Sequence, residues 1–256
     1  MLEIFTILHD NGMLFLMGQY PQGPLGGILC TLLISLLAVI FAFPIGVLLG
    51  VARLSPFRWI SWPAAGWVYI LRGIPLLMVV FWTYFCVPLL IGRNISGFST
   101  MLCTLVIYES AYIAEIVRGG IQALPSGQYE AARALGMGHI KAFRMVILPQ
   151  ALYNTLPSLV SQLVSIIKDS TLGYVISVPE LTYAANQVNN QLLTKPFQVF
   201  AIVALGYYII CYSLTWLANR LEAHIDNKRR SENRTRGDDA PNQATDPNTI
   251  AIRNEL

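Results

Sequence analysis

Charge is what this sequence has least of. Lys and Arg number 17 and Asp and Glu 14, together 12% of 256 residues, about half the share carried by soluble domains. With 55% hydrophobic residues and a mean hydropathy of +0.54, that scarcity excludes an ordinary water-soluble chain and points to the membrane class. Other absences narrow the reading further. The first 24 residues contain no Lys or Arg, so they lack the basic start of a cleavable signal peptide. Phe5 to Leu16 is too interrupted to span, which leaves residues 1–24 as an interfacial stretch. The four cysteines, Cys30, Cys86, Cys103 and Cys211, form no CxxC and have no His beside them. They read as small apolar packing residues rather than a disulfide set or thiolate ligands. No GxxxxGK[ST] occurs, so the chain has no P-loop of its own for ATP.

The charges that exist are segregated. Residues 25–52 and 196–219 contain none, and each run exceeds the roughly 20 apolar residues needed to cross a hydrocarbon core. Three further segments are nearly as apolar: 61–90, interrupted by Arg72; 97–117, interrupted by Glu109 and Glu115; and 151–178, interrupted by Lys168 and Asp169. These predict five transmembrane helices. Barrel strands would show short alternating segments instead of continuous runs, and a helix satisfies its backbone groups internally. Thirteen of the seventeen basic residues fall after the first, third and fifth spans, and only Arg93 and Lys195 lie on the other side. By the positive-inside rule the N-terminus is outside and the C-terminus cytoplasmic. The net charge of +3 therefore reflects topology and implies no nucleic-acid partner. The spans occupy residues 25–225, and the polar tail, 226–256, reads as cytoplasmic and disordered.

The cytoplasmic loop between the third and fourth spans, about residues 119–149, carries the densest pattern. Pro125 and Ser126 predict a helix start with Ser126 as N-cap, and Gly136 with Gly138 a sharp stop. A second short amphipathic piece, His139 to Leu148, returns the chain to the membrane. The loop reads as a rigid helix-turn-helix knob, the alternative being a solvated connector.

Glu130, Ala131, Ala132, Gly136, Val146, Leu148 and Pro149 stand at the spacing EAA, three residues, G, nine residues, I, one residue, LP, with Val for Ile. This segment resembles the signature loop of bacterial ABC importer permeases. Arg72 to Leu77 (RGIPLL), Ala111 to Gly120 (AYIAEIVRGG), Gly127-Gln128 and Lys168 to Leu172 (KDSTL) resemble elements of that family's polar amino acid branch, RGTPLL, AYxxExxRGG, GQ and KDTSL. The likeness covers about residues 26–219. It implies an all-α, type I importer permease fold in the bacterial inner membrane, and a loop whose Glu130, Ala131, Ala132, Gly136, Leu148 and Pro149 dock on a separate ATPase subunit. That partner binds the ATP, so no cofactor is expected in this chain. A periplasmic solute-binding protein and a second permease, identical or homologous, complete the expected assembly within the lipid. The amino acid stays open between acidic, amide and basic, with glutamate, aspartate or glutamine favoured.

The residues point the same way without the family. A charge inside a span is costly unless it pairs or faces water, and so marks a candidate site. Lys168 and Asp169, followed by Ser170, stand where the fourth apolar run breaks, and a broken helix offers termini suited to a zwitterion. Pairing of Lys168 with Asp169 or Glu109 simply to hold helices is the competing account. Glu109, central in its span beside Tyr108 and Tyr112, is the hardest to explain as core. Arg72, before Gly73 and Pro75, is expected at a helix start near the cytoplasmic face, lining the pathway or snorkelling outward. Glu115 and Arg118 read as an intrahelical pair. An ion-coupled secondary transporter and a membrane anchor without transport are the alternative functions; the first usually has paired repeats and more helices, and the second has no use for buried charges.

Overall fold

Apolar runs bounded by Gly and Pro become helices because only a helix or a closed barrel leaves no backbone polar group bare in lipid. The computed structural model describes residues 2–238, and among them the chain folds into ten α-helices and two isolated β-bridges. These are α1 (Leu2–Met17), α2 (Gly27–Arg53), α3 (Arg58–Gly73), α4 (Leu76–Ile91), α5 (Gly97–Gln122), α6 (Ser126–Ala134), α7 (His139–Ala142), α8 (Leu148–Asp169), α9 (Leu181–Leu192) and α10 (Pro196–Asp238). Gly27–Arg53, Gly97–Gln122, His139–Ile176 and Pro196–Ile225 are each long and apolar enough to cross a membrane.

The second expected span, 61–90, is not one helix. It divides into α3 and α4, which meet at 103°. Pro75 has no N–H and disfavours a helical residue before it; Ile74 accordingly adopts φ −105°, ψ 136°. Arg72 therefore closes the last turn of α3 instead of opening a helix, at the helix end where a cation is electrostatically favoured.

The spine of the fold is the α2–α5 pair. Along α2 the residues Cys30, Ile34, Ala38, Ala42, Gly46 and Gly50 recur every fourth position and are all buried. A small residue at every fourth position lets two helix backbones approach closely. A Cβ on Gly46 would stand 2.5 Å from Ile113 Cγ2, and one on Gly50 2.7 Å from the Ala114 carbonyl oxygen. Ser35 and Thr104 return their hydroxyls to their own helices, to the carbonyls of Thr31 (2.7 Å) and Thr100 (2.8 Å), as buried hydroxyls in helices commonly do; among the described residues the Thr100 hydroxyl is buried without a partner.

Around this spine α4 packs Val79 and Val80 against Ile34, Met101 and Leu105. Helix α1 buries Ile7 and Phe15 among Leu181, Val188, Val199 and Val203 of α9 and α10, and turns Phe5 and Met13 outward. Lys195 and Gln198 hold Glu3 at 3.2 and 3.1 Å. With 16 residues, α1 is shorter than a span requires.

The fourth span is continuous from His139 to Ile176. It widens to a π-helix over Phe143–Ile147 and tightens to a 3₁₀-helix over Ser170–Ile176. Pro149 explains the first change, since it cannot bond to the carbonyl four residues back and its ring crowds that turn. The break expected at Lys168 and Asp169 is thus a tightening. Helix α10 runs on past residue 225 as far as Asp238, so the tail expected to be disordered begins as a continuation of the last span; residues 239–256 lie outside the described residues. Trp59, Trp62, Trp67, Trp82 and Trp216 are all exposed on the outer surface, which fits interface anchoring over core packing. Of the cysteines, Cys30 is buried, but Cys86 and Cys103 are exposed, so these two are not the packed residues expected.

Candidate functional site

Helices α5 and α8 bring three of the expected charges together. Glu109, Lys168 and Asp169 line one cavity of about 320 Å³ with Tyr108, Tyr112, Gln162 and Ser165. Glu109 is fully buried. Its Oε2 accepts a hydrogen bond from Gln162 Nε2 at 2.6 Å, and among the described residues its Oε1 has no hydrogen-bond partner. Tyr108 Oη lies 3.1 Å from Tyr112 Oη and 3.3 Å from the Ile74 carbonyl oxygen, to which it donates. The α3–α4 break is thereby tied to the cavity wall. Lys168 is exposed and, among the described residues, has no ion pair. The cavity thus offers carboxylates, an ammonium and phenolic hydroxyls, a set that complements a small molecule bearing charges of both signs.

Two expected residues stand outside it. Ser170 is fully buried and donates to the Ile167 carbonyl at 2.8 Å; one residue after Asp169 it is turned about 100° around the helix. Arg72 lies behind the wall, its guanidinium 5.3 Å from the ring centroid of Tyr112. It belongs to a second cluster, in which Glu115 meets Arg53, Arg72 at 3.7 Å and Arg118 at 2.9 Å. The intrahelical Glu115–Arg118 pair expected from sequence is present, but the same carboxylate also binds α2 and α3 to α5.

The loop after α5 is a folded knob. Helix α6 ends in a Schellman arrangement: Gly136 has φ +80°, its N–H reaches the Arg133 carbonyl at 3.0 Å, and the Met137 N–H reaches that of Ala132 at 3.2 Å. A left-handed residue there suits glycine. Ser126 is the first helical residue and makes no side-chain cap, so the capping role expected of it is absent. Gly138, with φ −63°, begins α7 and takes no part in the stop. Gln150 Nε2 donates to Gln128 Oε1 at 3.1 Å and Tyr129 meets His139, which closes the knob on itself. Ala132 is buried within it, Leu148 is half-buried, and Glu130, Ala131 and Pro149 are exposed. Beside them Leu135 and Ile140 are 80% and 83% exposed, an apolar tip that is unusual outside a contact surface.

At the opposite end of the helices, Glu180 caps α9. Its Oε1 accepts from the Tyr183 N–H (2.9 Å) and its Oε2 from the Thr182 N–H (2.7 Å) and Tyr207 Oη (2.9 Å). Thr31 Oγ1 accepts the neighbouring Leu181 N–H at 3.1 Å. Burial pushes the Glu180 carboxyl up to about 7. Sequence reasoning passed over this residue, although an acid directly before an apolar helical segment is an N-terminal capping signal.

Residues 42–227 match the family described as binding-protein-dependent transport system inner membrane component. The chain is 35% identical over 211 residues to a probable glutamine ABC transporter permease protein, GlnP, of Bacillus subtilis (strain 168), covering 80% of this chain and 96% of that protein. It is 33% identical over 206 residues to the glutamate/aspartate import permease protein GltK of Escherichia coli O157:H7, covering 77% and 91%. A chain in the crystal structure of an amino acid ABC transporter with histidines superposes with a TM-score of 0.71 at 34% identity, over 77% of this chain and 92% of that one. The inward-facing MetNI methionine ABC transporter shares the fold at 22% identity and a TM-score of 0.66.

Proposed function

The chain belongs to the family of binding-protein-dependent transport system inner membrane components, and from that premise we propose how this permease subunit of an ABC importer does its work. It carries polar amino acids inward through the cavity between α5 and α8, with its N-terminus outside and the α6–α7 knob in the cytoplasm. The single observation supporting this reading is Glu109, fully buried with one carboxylate oxygen unpartnered in a cavity that also holds Lys168 and Asp169. A substrate ammonium satisfies Glu109 and Asp169, and its carboxylate meets Lys168, each a charge-assisted hydrogen bond. Arg72 positions Tyr112 from behind.

Power comes from a separate ATPase subunit. Glu130 and the apolar tip of Leu135 and Ile140 form the docking face, and the Schellman turn at Gly136 fixes its shape. A rigid knob converts movement of the ATPase into rigid-body rocking of the spans. A second permease copy or a homologous one completes the pore, and a periplasmic binding protein delivers the cargo.

The test is uptake by vesicles holding the permease, its ATPase and its binding protein, with labelled glutamine, glutamate, aspartate and histidine. ATP-driven uptake of at least one of these, reduced in both Lys168→Ala and Asp169→Asn with assembly retained, supports the site. Unchanged uptake in both variants sinks it. Uptake that runs on an ion gradient without ATP favours the secondary-transporter alternative.

A further inference from the structure

A cavity of about 530 Å³ lies at the end of the helices opposite the knob and shares no lining residue with the one that holds Glu109, Lys168 and Asp169. Its walls come from the α1–α2 connection, the first turns of α2 and α5, the chain after Ile176, and α9. Backbone contacts fix this frame. The Gly27 N–H donates to the Pro179 carbonyl at 2.9 Å, and a Cβ on Gly97 would stand 2.5 Å from the Ile176 carbonyl oxygen. The space is therefore preformed, and its volume is that of a ligand pocket.

Three features narrow what fits it. No Asp, Glu, Lys, Arg or His lines the cavity, so a free amino acid would lose the hydration of two charges there and meet no ion in exchange. Polarity is also graded along the helices. Gln19, Ser96, Ser177 and Gln187 lie beyond the ends of the spans, whereas Cys30, Leu33 and Phe98 lie within them. A polar rim at the water boundary thus stands over an apolar floor at membrane depth. Finally, the floor is open sideways. Leu33 lines the cavity and is still 40% exposed, and Leu36 and Ile40, 52% and 53% exposed, follow it at steps of three and four residues, on the same face of α2. From Leu33 to Ile40 this apolar strip runs about 10 Å along the axis.

We propose that this cavity binds a phospholipid of the leaflet opposite the knob, with its headgroup at the polar rim and one acyl chain laid along Leu33, Leu36 and Ile40. An amphiphile matches the rim, the floor and the lateral opening together, which neither a polar solute nor a plain hydrocarbon does. The rim also selects the headgroup. Amide and hydroxyl oxygens accept hydrogen bonds from a primary ammonium; a quaternary ammonium has no proton to give them, and a net-anionic headgroup meets no cation here. The class that fits is a zwitterionic headgroup with a primary amine, as in phosphatidylethanolamine. Bound in this way the lipid touches α2, α5 and α9 at once and braces the end of the molecule that the knob does not reach.

Native mass spectrometry of the purified permease–ATPase complex tests this, after delipidation and addition of equal amounts of dioleoyl phosphatidylethanolamine, phosphatidylcholine and phosphatidylglycerol. One phosphatidylethanolamine per permease copy is expected to be retained, about tenfold over either of the others. Leu33→Trp and Gln187→Trp, which fill the floor and the rim, are each expected to lower that retention about tenfold. Equal retention of the three lipids overturns the proposal, as does unchanged retention of phosphatidylethanolamine in both variants. If a tryptophan variant fails to assemble, the headgroup preference of the parent complex decides. A second copy of the chain seated on the strip is the competing occupant. With Cys30, Cys86, Cys103 and Cys211 replaced by alanine, efficient disulfide formation between two copies through Leu36→Cys in native membranes overturns the lipid site. These readouts need no transport, so a failure of ATP-driven uptake counts against the permease reading and leaves the lipid site standing.

Discussion

Gln162 Nε2 donates to Glu109 Oε2 across 2.6 Å, joining α8 to α5 through residues 53 apart in sequence. Its acceptor is a carboxylate that is sealed from solvent. A buried acceptor depends on its partners far more than an exposed one does, because removal of a donor exposes its whole desolvation cost.

Gln162→Leu is therefore expected to lower the stability of the complex by about 1–3 kcal/mol. Adding Glu109→Leu should recover part of that loss, since replacing both partners by apolar groups leaves no stranded polar atom. Thermal unfolding of the purified complex, read as a double-mutant cycle, checks this; strictly additive losses would show that the two side chains are not coupled.

Glu115 holds three arginines from α2, α3 and α5, and the Arg53 side chain is only 7% exposed. Glu115→Ala leaves that cation buried without its partner, at an expected cost of about 3 kcal/mol or more. Arg118→Ala removes a partly exposed partner and should cost under about 1 kcal/mol. The yield and unfolding temperature of the two variants give the order, and equal effects would rule out the hub.

Gly136→Val forces a β-branched residue into φ +80°, a strain of about 1–2 kcal/mol or more. It should misdirect α7 while the spans stay folded. Glu130→Ala should weaken ATPase docking by about 1.5–3 kcal/mol. Both are measured by the ATPase retained on purification and by substrate-stimulated hydrolysis. Wild-type values in both would return the knob to the status of a solvated connector.

The Glu180 carboxyl stands at about 7 instead of its ordinary 4.5. A raised value means that the folded state keeps its proton as the pH rises from about 4.5, so the stabilisation from this group is present at low pH and lost through about pH 7. The complex should unfold at a lower temperature at pH 8 than at pH 6, and Glu180→Gln should flatten that dependence. An unaltered pH profile in the variant would disprove the role assigned to this burial.

Much of this was legible in the chain. Uninterrupted apolar runs gave the spans, and EAA with its spaced Gly and Leu-Pro gave the knob, since those patterns are local. Glu109, Lys168 and Asp169 stood out because a charge is rare in a span. What stayed hidden depended on contacts between helices. The Arg53–Glu115 and Arg72–Glu115 pairs need α2, α3 and α5 to meet, and Gln162 is an unremarkable amide until Glu109 faces it. Ser170 stands away from the cavity because adjacency in sequence to Asp169 says nothing of helical direction. The bend at Pro75 was overlooked because the hydropathy of 61–90 is continuous across it.

The four-residue seam between α2 and α5 has a mechanical consequence. Gly46 and Gly50 bring the two backbones so close that neither helix can slide without collision, so the pair turns as one lever. At about 1.5 Å per residue α2 is about 40 Å long. A tilt of about 10° at the knob end carries the far end through about 7 Å, which is the width of an amino acid, whereas the near end scarcely moves. In the proposed mechanism, small displacements of the knob would be magnified into opening and closing of the opposite mouth, with the gearing set by the length of a single helix.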